Sequence, residues 1–199
     1  MSNHQDKKAA ILKAASQCFA RYGYEKTTLD DIGGLVGLNK ASLYYYYKNK
    51  ESLFTEVIFS EAEAFLNRLI ASIEKVQGCK EKIMTYLSQR AKYLGEAVNL
   101  SQLTNESIAG LTPLFAGMYA AIEEKEIACL SEILSRSMAS GEFIPCDGTR
   151  VARSILTVSA AILNRYEVCS DKRSADIITM AISEIDFTVS LILEGLKIK

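Results

Sequence analysis

From Gly37 to Leu53 the sequence reads Gly-Leu-Asn-Lys-Ala-Ser-Leu-Tyr-Tyr-Tyr-Tyr-Lys-Asn-Lys-Glu-Ser-Leu, and these residue types suit contact with double-stranded DNA. On a helix of 3.6 residues per turn, Leu43 and Tyr47 share an inward face. Lys40, Ala41, Ser42, Tyr44 and Tyr46 are then expected to point outward. A lysine can donate to guanine O6 and N7, and an alanine methyl or an aromatic ring can meet a thymine methyl. Thr28, Tyr45, Lys48 and Lys50 are placed for phosphates, which fix register without reading sequence. Lys50 falls in the first turn of a following helix, whose free N–H groups would suit an anion.

Other chemistry finds little support. The single histidine, His4, lies in what reads as a frayed N-terminus, so a Ser/His/Asp or Cys/His arrangement has no base. There is no HExxH, GxSxG, Walker loop or GxGxxG. The five cysteines, at 18, 79, 129, 146 and 169, are scattered, odd in number and never in a CxxC pair. They predict reduced thiols, with neither a disulfide framework nor a zinc site. Cys146 and Cys169 have no adjacent base that would make them a redox pair. Glu123, Glu124 and Glu126 read as solvated helix surface. The expectation is a protein that is not an enzyme and carries no cofactor or metal.

The elements that must position the Lys40–Lys50 residues are helices. Ile11, Ala15, Cys18, Phe19 and Tyr22 recur at helical spacing and predict a first helix over about 7–22, ended by Gly23. Thr27 and Thr28 each have an aspartate three residues on, so either can open a second helix with a capping box. Leu29, Ile32 and Val36 give that helix its apolar face, and Gly37 ends it. Asn39 is a good N-cap for a third helix over 40–47, and Asn49 for a fourth running to about 74. Leu29, Ile32, Val36, Leu38, Leu43 and Tyr47 make a small core. Three short helices with a glycine turn between the second and third describe a helix-turn-helix, whose third helix lies in the major groove.

These residues resemble the DNA-binding domain of TetR-family transcriptional regulators. The resemblance covers 11–58: Ile11-Leu-Lys-Ala-Ala, Phe19, Gly23-Tyr24, Thr27-Thr28, Asp31-Ile32, and Gly37 through Leu53. Two departures stand out. Gly33, followed by Gly34, occupies a position usually held by alanine, and two glycines inside a helix cost roughly 2 kcal/mol in propensity. Tyr47 stands where phenylalanine is usual, and its added hydroxyl needs a partner or water if the ring is buried.

Beyond residue 58 the chain carries no motif, and it reads as long helices with short connections. A helix is expected over about 80–98, a short one near 102–109, and one starting at Pro113 and running to about 139. Two more follow, to about 169 and over 174–196. The resemblance implies an all-α protein with a DNA-binding domain over 1–50 and a helical effector-binding and dimerisation domain over 51–199. It also implies a ligand-responsive regulator, a repressor rather than an activator, that binds a palindromic operator as a homodimer. The dimer is expected through the last two helices, by stripes of Val151, Ile155, Val158 and Ile162 and of Ile178, Ile182, Ile185 and Val189. Each of these helices is apolar on more than one face and so needs covering from two sides. The effector is expected to be small and largely apolar, within reach of Tyr86, Gln89, Tyr93, Gln102, Tyr119, Asn164 and Tyr166. Arg90, Lys92, Arg153 or Arg165 could hold an anionic group on it. The alternative is a helical protein–protein adaptor that keeps the helix-turn-helix as scaffold.

Composition agrees with either reading. In 199 residues, 49% are hydrophobic and 24% charged, as in a soluble globular protein. No apolar run reaches 18 residues, and the N-terminus lacks a continuous apolar stretch of the signal-peptide kind. A cytoplasmic location with no membrane partner is therefore expected. The net charge of −1 divides into +4 over residues 1–50 and −5 over the rest, a basic head on an acidic body.

Overall fold

The computed structural model describes residues 2–96, 105–168 and 175–198, which form eight helices and no strand. They are α1 (Ser2–Lys26), α2 (Leu29–Val36), α3 (Lys40–Tyr46), α4 (Lys50–Ile73), α5 (Cys79–Glu96), α6 (Asn105–Ala139), α7 (Gly148–Val168) and α8 (Ala175–Glu194). Among the described residues, no helix is long and apolar enough to cross a membrane.

The first helices end where the local chemistry dictates. α1 is broken at Gly23, whose φ of +80° and ψ of 161° are closed to other residues. Thr27 is buried, and its hydroxyl donates to the carbonyls of Cys18 (3.2 Å) and Gly23 (2.7 Å), closing the end of α1. Thr28 therefore caps α2. The Asp31 N–H donates to its Oγ1 (3.1 Å), and Asp31 Oδ2 accepts from its N–H (2.9 Å). The bonds from Thr28 hold the Asp31 carboxyl below the ordinary aspartate range. This cap thus supports the fold above that range and is lost as pH falls through the lowered value. Gly37 ends α2 in the left-handed region, at φ +66° and ψ 29°. Asn39 Oδ1 accepts the Ser42 N–H (2.8 Å) to open α3, and Asn49 Oδ1 accepts the Ser52 N–H (2.8 Å) to open α4.

The chain divides into two compact units. The first unit holds the chain up to Ala64 and α6 up to Ala121. Its core joins Ile11, Phe19, Ile32, Leu43 and Tyr47 to Leu53, Phe54, Val57 and Ile58 of α4 and to Leu111, Phe115 and Met118 of α6. Phe54 meets Phe19 edge-on at 4.9 Å between centroids, and these α4 residues are fully buried, so the small helix-turn-helix core is completed from outside the first fifty residues.

The second unit holds Phe65–Glu96 and the chain from Ile122 onward. Leu66, Leu69, Ile83, Leu87, Leu130, Leu134, Ile155, Ile185 and Val189 are among its buried residues, and α8 packs on both α5 and α7. Asp147 Oδ1 accepts the Arg150 N–H (3.0 Å) and opens α7.

One expected boundary is corrected. The short helix expected near 102–109 and the helix expected to start at Pro113 are not separate: α6 runs unbroken from Asn105 with Pro113 inside it. A proline there removes one backbone hydrogen bond. Burial of Leu111, Phe115 and Met118 offsets that loss and carries the helix through. Residues 102–104 of the expected short helix lie outside the described residues.

Candidate DNA-binding surface

α3 presents its outward residues on a well-capped seven-residue helix. Leu43 and Tyr47 are buried, as their spacing predicts, and Lys40, Ala41, Tyr44, Tyr45 and Lys48 are exposed. Tyr45 is 76% exposed and Tyr44 50%. Lys40 Nζ lies 3.9 Å from Asp30 Oδ2 on α2, an exposed pair too weak to hold the lysine against a base or phosphate. Ser42 is half-buried, with its N–H spent on the Asn39 cap. Thr28 is exposed at the start of α2, its hydroxyl donating to Asp31 Oδ2 (2.6 Å).

Three expected roles change. Lys50 is not a free phosphate ligand. Its Nζ donates to the carbonyls of Tyr24 (2.9 Å), Thr27 (3.2 Å) and Glu25 (3.4 Å), and it lies 4.3 Å from the centre of the Tyr24 ring. The ammonium satisfies carbonyls orphaned where α1 ends, a task a cation at a helix C-terminus does well. Tyr24 also donates to Glu51 Oε1 (3.1 Å), and burial, then the Glu51 charge, push its hydroxyl well above the ordinary tyrosine range. Tyr46 does not point outward; it is half-buried and packs on His4 with 4.9 Å between ring centroids. His4 is not in a frayed tail but inside α1.

The two sequence departures also find their places. The Tyr47 hydroxyl is buried and has no hydrogen-bond partner among the described residues. Burial, with Glu56 nearby, raises its pKa. Gly33 is buried under the turn into α3. A Cβ there would lie 2.4 Å from the Leu38 carbonyl oxygen, and that turn is tied by the Leu38 N–H donating to Gly33 O (2.9 Å). Gly34 is exposed, and a Cβ there meets nothing within 4 Å.

Five of the residues expected around an effector are already engaged or exposed. Tyr86 is fully buried and donates to Glu126 Oε1 (2.9 Å). Ser72 Oγ donates to Gln89 Oε1 (3.2 Å), and Tyr93 stacks on Phe65 at 3.9 Å. Tyr119 and Asn164 are exposed, Tyr166 is half-buried, and Gln102 lies outside the described residues. Glu126 corrects the reading of its cluster as solvated: it is 6% exposed and accepts from Arg90 Nε (2.6 Å) and Nη2 (3.3 Å). Arg90 is thereby neutralised, and Arg153 pairs with Glu124 (3.3 Å). Lys92 and Arg165 are exposed. The first unit has an open groove of about 540 Å³ between α1 and α2, with Arg21, Tyr22, Lys26, Asp31 and Leu35 along it, and none of the expected effector residues among its lining.

The residues of the expected dimer stripes fall in two environments. Ile155, Ile185 and Val189 are buried in the chain's own core, whereas Val151, Val158, Ile162, Ile178 and Ile182 are half-buried. The large apolar residues that α8 leaves exposed are Met180, Phe187 and Leu191. Their spacing of seven and four residues puts them on one helix face.

Comparison with known proteins agrees with the geometry of the first unit. Residues 11–57 match the family described as bacterial regulatory proteins, tetR family. The HTH-type transcriptional regulator RutR of Escherichia coli (strain K12) is 31% identical over 148 residues, 71% of this chain and 66% of RutR. A solved transcriptional regulator from Cytophaga hutchinsonii ATCC 33406 superposes with a TM-score of 0.76 over 94% of this chain and 97% of that one, at 23% identity. The transcriptional regulator FadR from Bacillus subtilis, solved in complex with stearoyl-CoA, gives 0.63 over 92% and 97%, at 20% identity. With a capped helix-turn-helix under that match and an all-helical remainder, the chain belongs to the tetR family of transcriptional regulators.

Proposed function

We propose that the chain is a ligand-responsive repressor that binds a palindromic operator as a homodimer. The observation that carries this is the surface of α3: Lys40, Ala41, Tyr44 and Tyr45 stand exposed on a helix capped at both ends, with Thr28 and Lys48 exposed for phosphates. Residues 1–50 supply the DNA contacts and the remainder the effector and dimer functions. A second copy has a natural seat on the Met180, Phe187 and Leu191 face of α8. Two-fold symmetry then places two α3 helices in successive major grooves. The effector is a small, largely apolar molecule, a reading supported by the stearoyl-CoA held by the Bacillus subtilis FadR structure. It acts by binding one arrangement of the helices better than another and so shifting the population that fits DNA. A soluble, cytoplasmic protein suits this role.

Selection of bound duplexes from a random pool tests the reading. A palindromic product is the expected result, and an unenriched pool overturns it in favour of a helical adaptor. Phe187→Arg should give a monomer by sedimentation and abolish operator binding. A variant that stays dimeric places the interface elsewhere.

A further inference from the structure

The first turns of α1 lie before residue 11, where the family match begins, yet they are fastened to the recognition helix. His4 lies 4.9 Å from the Tyr46 ring, tilted at 35°, and 5.9 Å from the Tyr45 ring, edge-on at 74°. Tyr45 and Tyr46 in turn meet edge-on at 5.2 Å. The three rings form a closed triangle. One helical turn further along the same face, Lys8 Nζ pairs with Glu56 Oε1 at 2.6 Å and lies 5.6 Å from the centre of the Tyr47 ring. Two successive turns of α1 thus grip the end of α3.

We propose that His4 is a positioning residue for DNA reading: its ring holds Tyr46 and Tyr45 in the orientation that α3 presents to the duplex. The argument rests on the DNA-binding reading above. Tyr45 is the most exposed of the four consecutive tyrosines, at 76%. A free tyrosine ring loses rotamer freedom when a groove fixes it, and fixing it beforehand recovers that loss as affinity. Edge and tilted ring contacts at these distances are in the favourable range. Because the triangle sets the ring's direction rather than neutralising phosphate, its effect falls on the specific complex. Non-specific binding, which is counterion release, is left unchanged.

The test uses the full chain, the operator selected by the wild type, and an unrelated duplex of equal length. His4→Ala is expected to weaken operator binding about 3- to 10-fold, the effect of losing such ring contacts. Affinity for the unrelated duplex and the salt slope should not change. His4→Phe, which keeps a ring, should restore operator binding. In a Tyr46→Leu background, where the direct contact with Tyr45 is all that His4 keeps, His4→Ala should have a smaller effect. Wild-type affinity in His4→Ala overturns the His4 role alone. Equal weakening on both duplexes with a shallower salt slope makes His4 a phosphate contact, and failure of His4→Phe to rescue also overturns positioning. A wild type that enriches no duplex overturns the DNA-binding reading itself, and the His4 role with it.

Discussion

In the first unit, the polar groups that shape the helix-turn-helix find partners three residues away: Thr28 with Asp31, Asn39 with Ser42, Asn49 with Ser52. In the second unit the principal polar cluster joins residues 36 and 40 apart, with Arg90 and Tyr86 both on Glu126. The first arrangement is built from helix caps, exposed at Thr28 with Asp31 and at Asn39 with Ser42 and part-buried at Asn49 with Ser52, so each bond adds little and the surface of α2 and α3 stays available to a partner. The second is buried, where a charge is tolerable only with its counterpart in place. A binding surface and an internal lock thus use the same side-chain chemistry with opposite exposure. Substitutions in the second unit should therefore cost most, and those on the helix-turn-helix surface least.

The largest effect is expected at Glu126. Glu126→Ala leaves the Arg90 charge and the Tyr86 hydroxyl without their partner and should destabilise the protein by about 3–5 kcal/mol, measured by chemical denaturation. Replacing all three by apolar residues (Tyr86→Phe, Arg90→Met, Glu126→Leu) should recover most of that loss, because a well-packed apolar core rivals a buried pair. A loss under about 1 kcal/mol for Glu126→Ala would show that the pair is solvated, and would remove the contrast between the units.

Within the first unit, the tightest packing should be the most sensitive. Gly33→Ala puts a Cβ 2.4 Å from the Leu38 carbonyl oxygen and should cost about 1–3 kcal/mol in thermal unfolding. Lys50→Met comes next. It withdraws an ammonium from three carbonyls at the end of α1 and should cost about 1–2 kcal/mol, reduced by partial exposure from the usual range for charged hydrogen bonds. The salt slope of DNA binding should not change. A slope shallower by about one would return Lys50 to the role of phosphate ligand that its position first suggested.

Lys50 also shows what the sequence could and could not reveal. Helix ends were readable because a cap is local: a side-chain oxygen, an N–H three residues on, and a glycine with positive φ. Thus α2, α3, the start of α4 and the burial of Leu43 and Tyr47 followed from spacing. Lys50 is 26 residues from the Tyr24 carbonyl it ligates, and nothing in its neighbours announces that bond. Glu126 is adjacent to residues that are solvated, and only the fold buries it. His4 has no local apolar pattern that would predict its two tyrosines. The stripes on α7 and α8 were visible, but periodicity alone does not say whether Ile155 and Val189 cover a partner or their own core. Pro113 reads locally as a helix start, and only burial of residues on either side keeps α6 intact.

The smallest effects test the two departures in the helix-turn-helix. Tyr47→Phe removes a buried hydroxyl that has no partner among the described residues and should stabilise the protein by about 1 kcal/mol. A loss would mean that the hydroxyl is bonded to water. Gly34→Ala should stabilise by about 0.4–1 kcal/mol, acting through the unfolded chain, since the added methyl meets nothing within 4 Å and the residue is helical. The neighbouring glycine gives the opposite sign for a stated reason: Gly33 faces the turn that leads into α3, and Gly34 faces solvent. The two alanine variants, melted side by side, therefore read the direction of each Cα–Cβ bond. If Gly34→Ala lowered the midpoint as Gly33→Ala does, α2 would be turned about its axis from the position described, and Leu29 and Ile32 would leave the core with it.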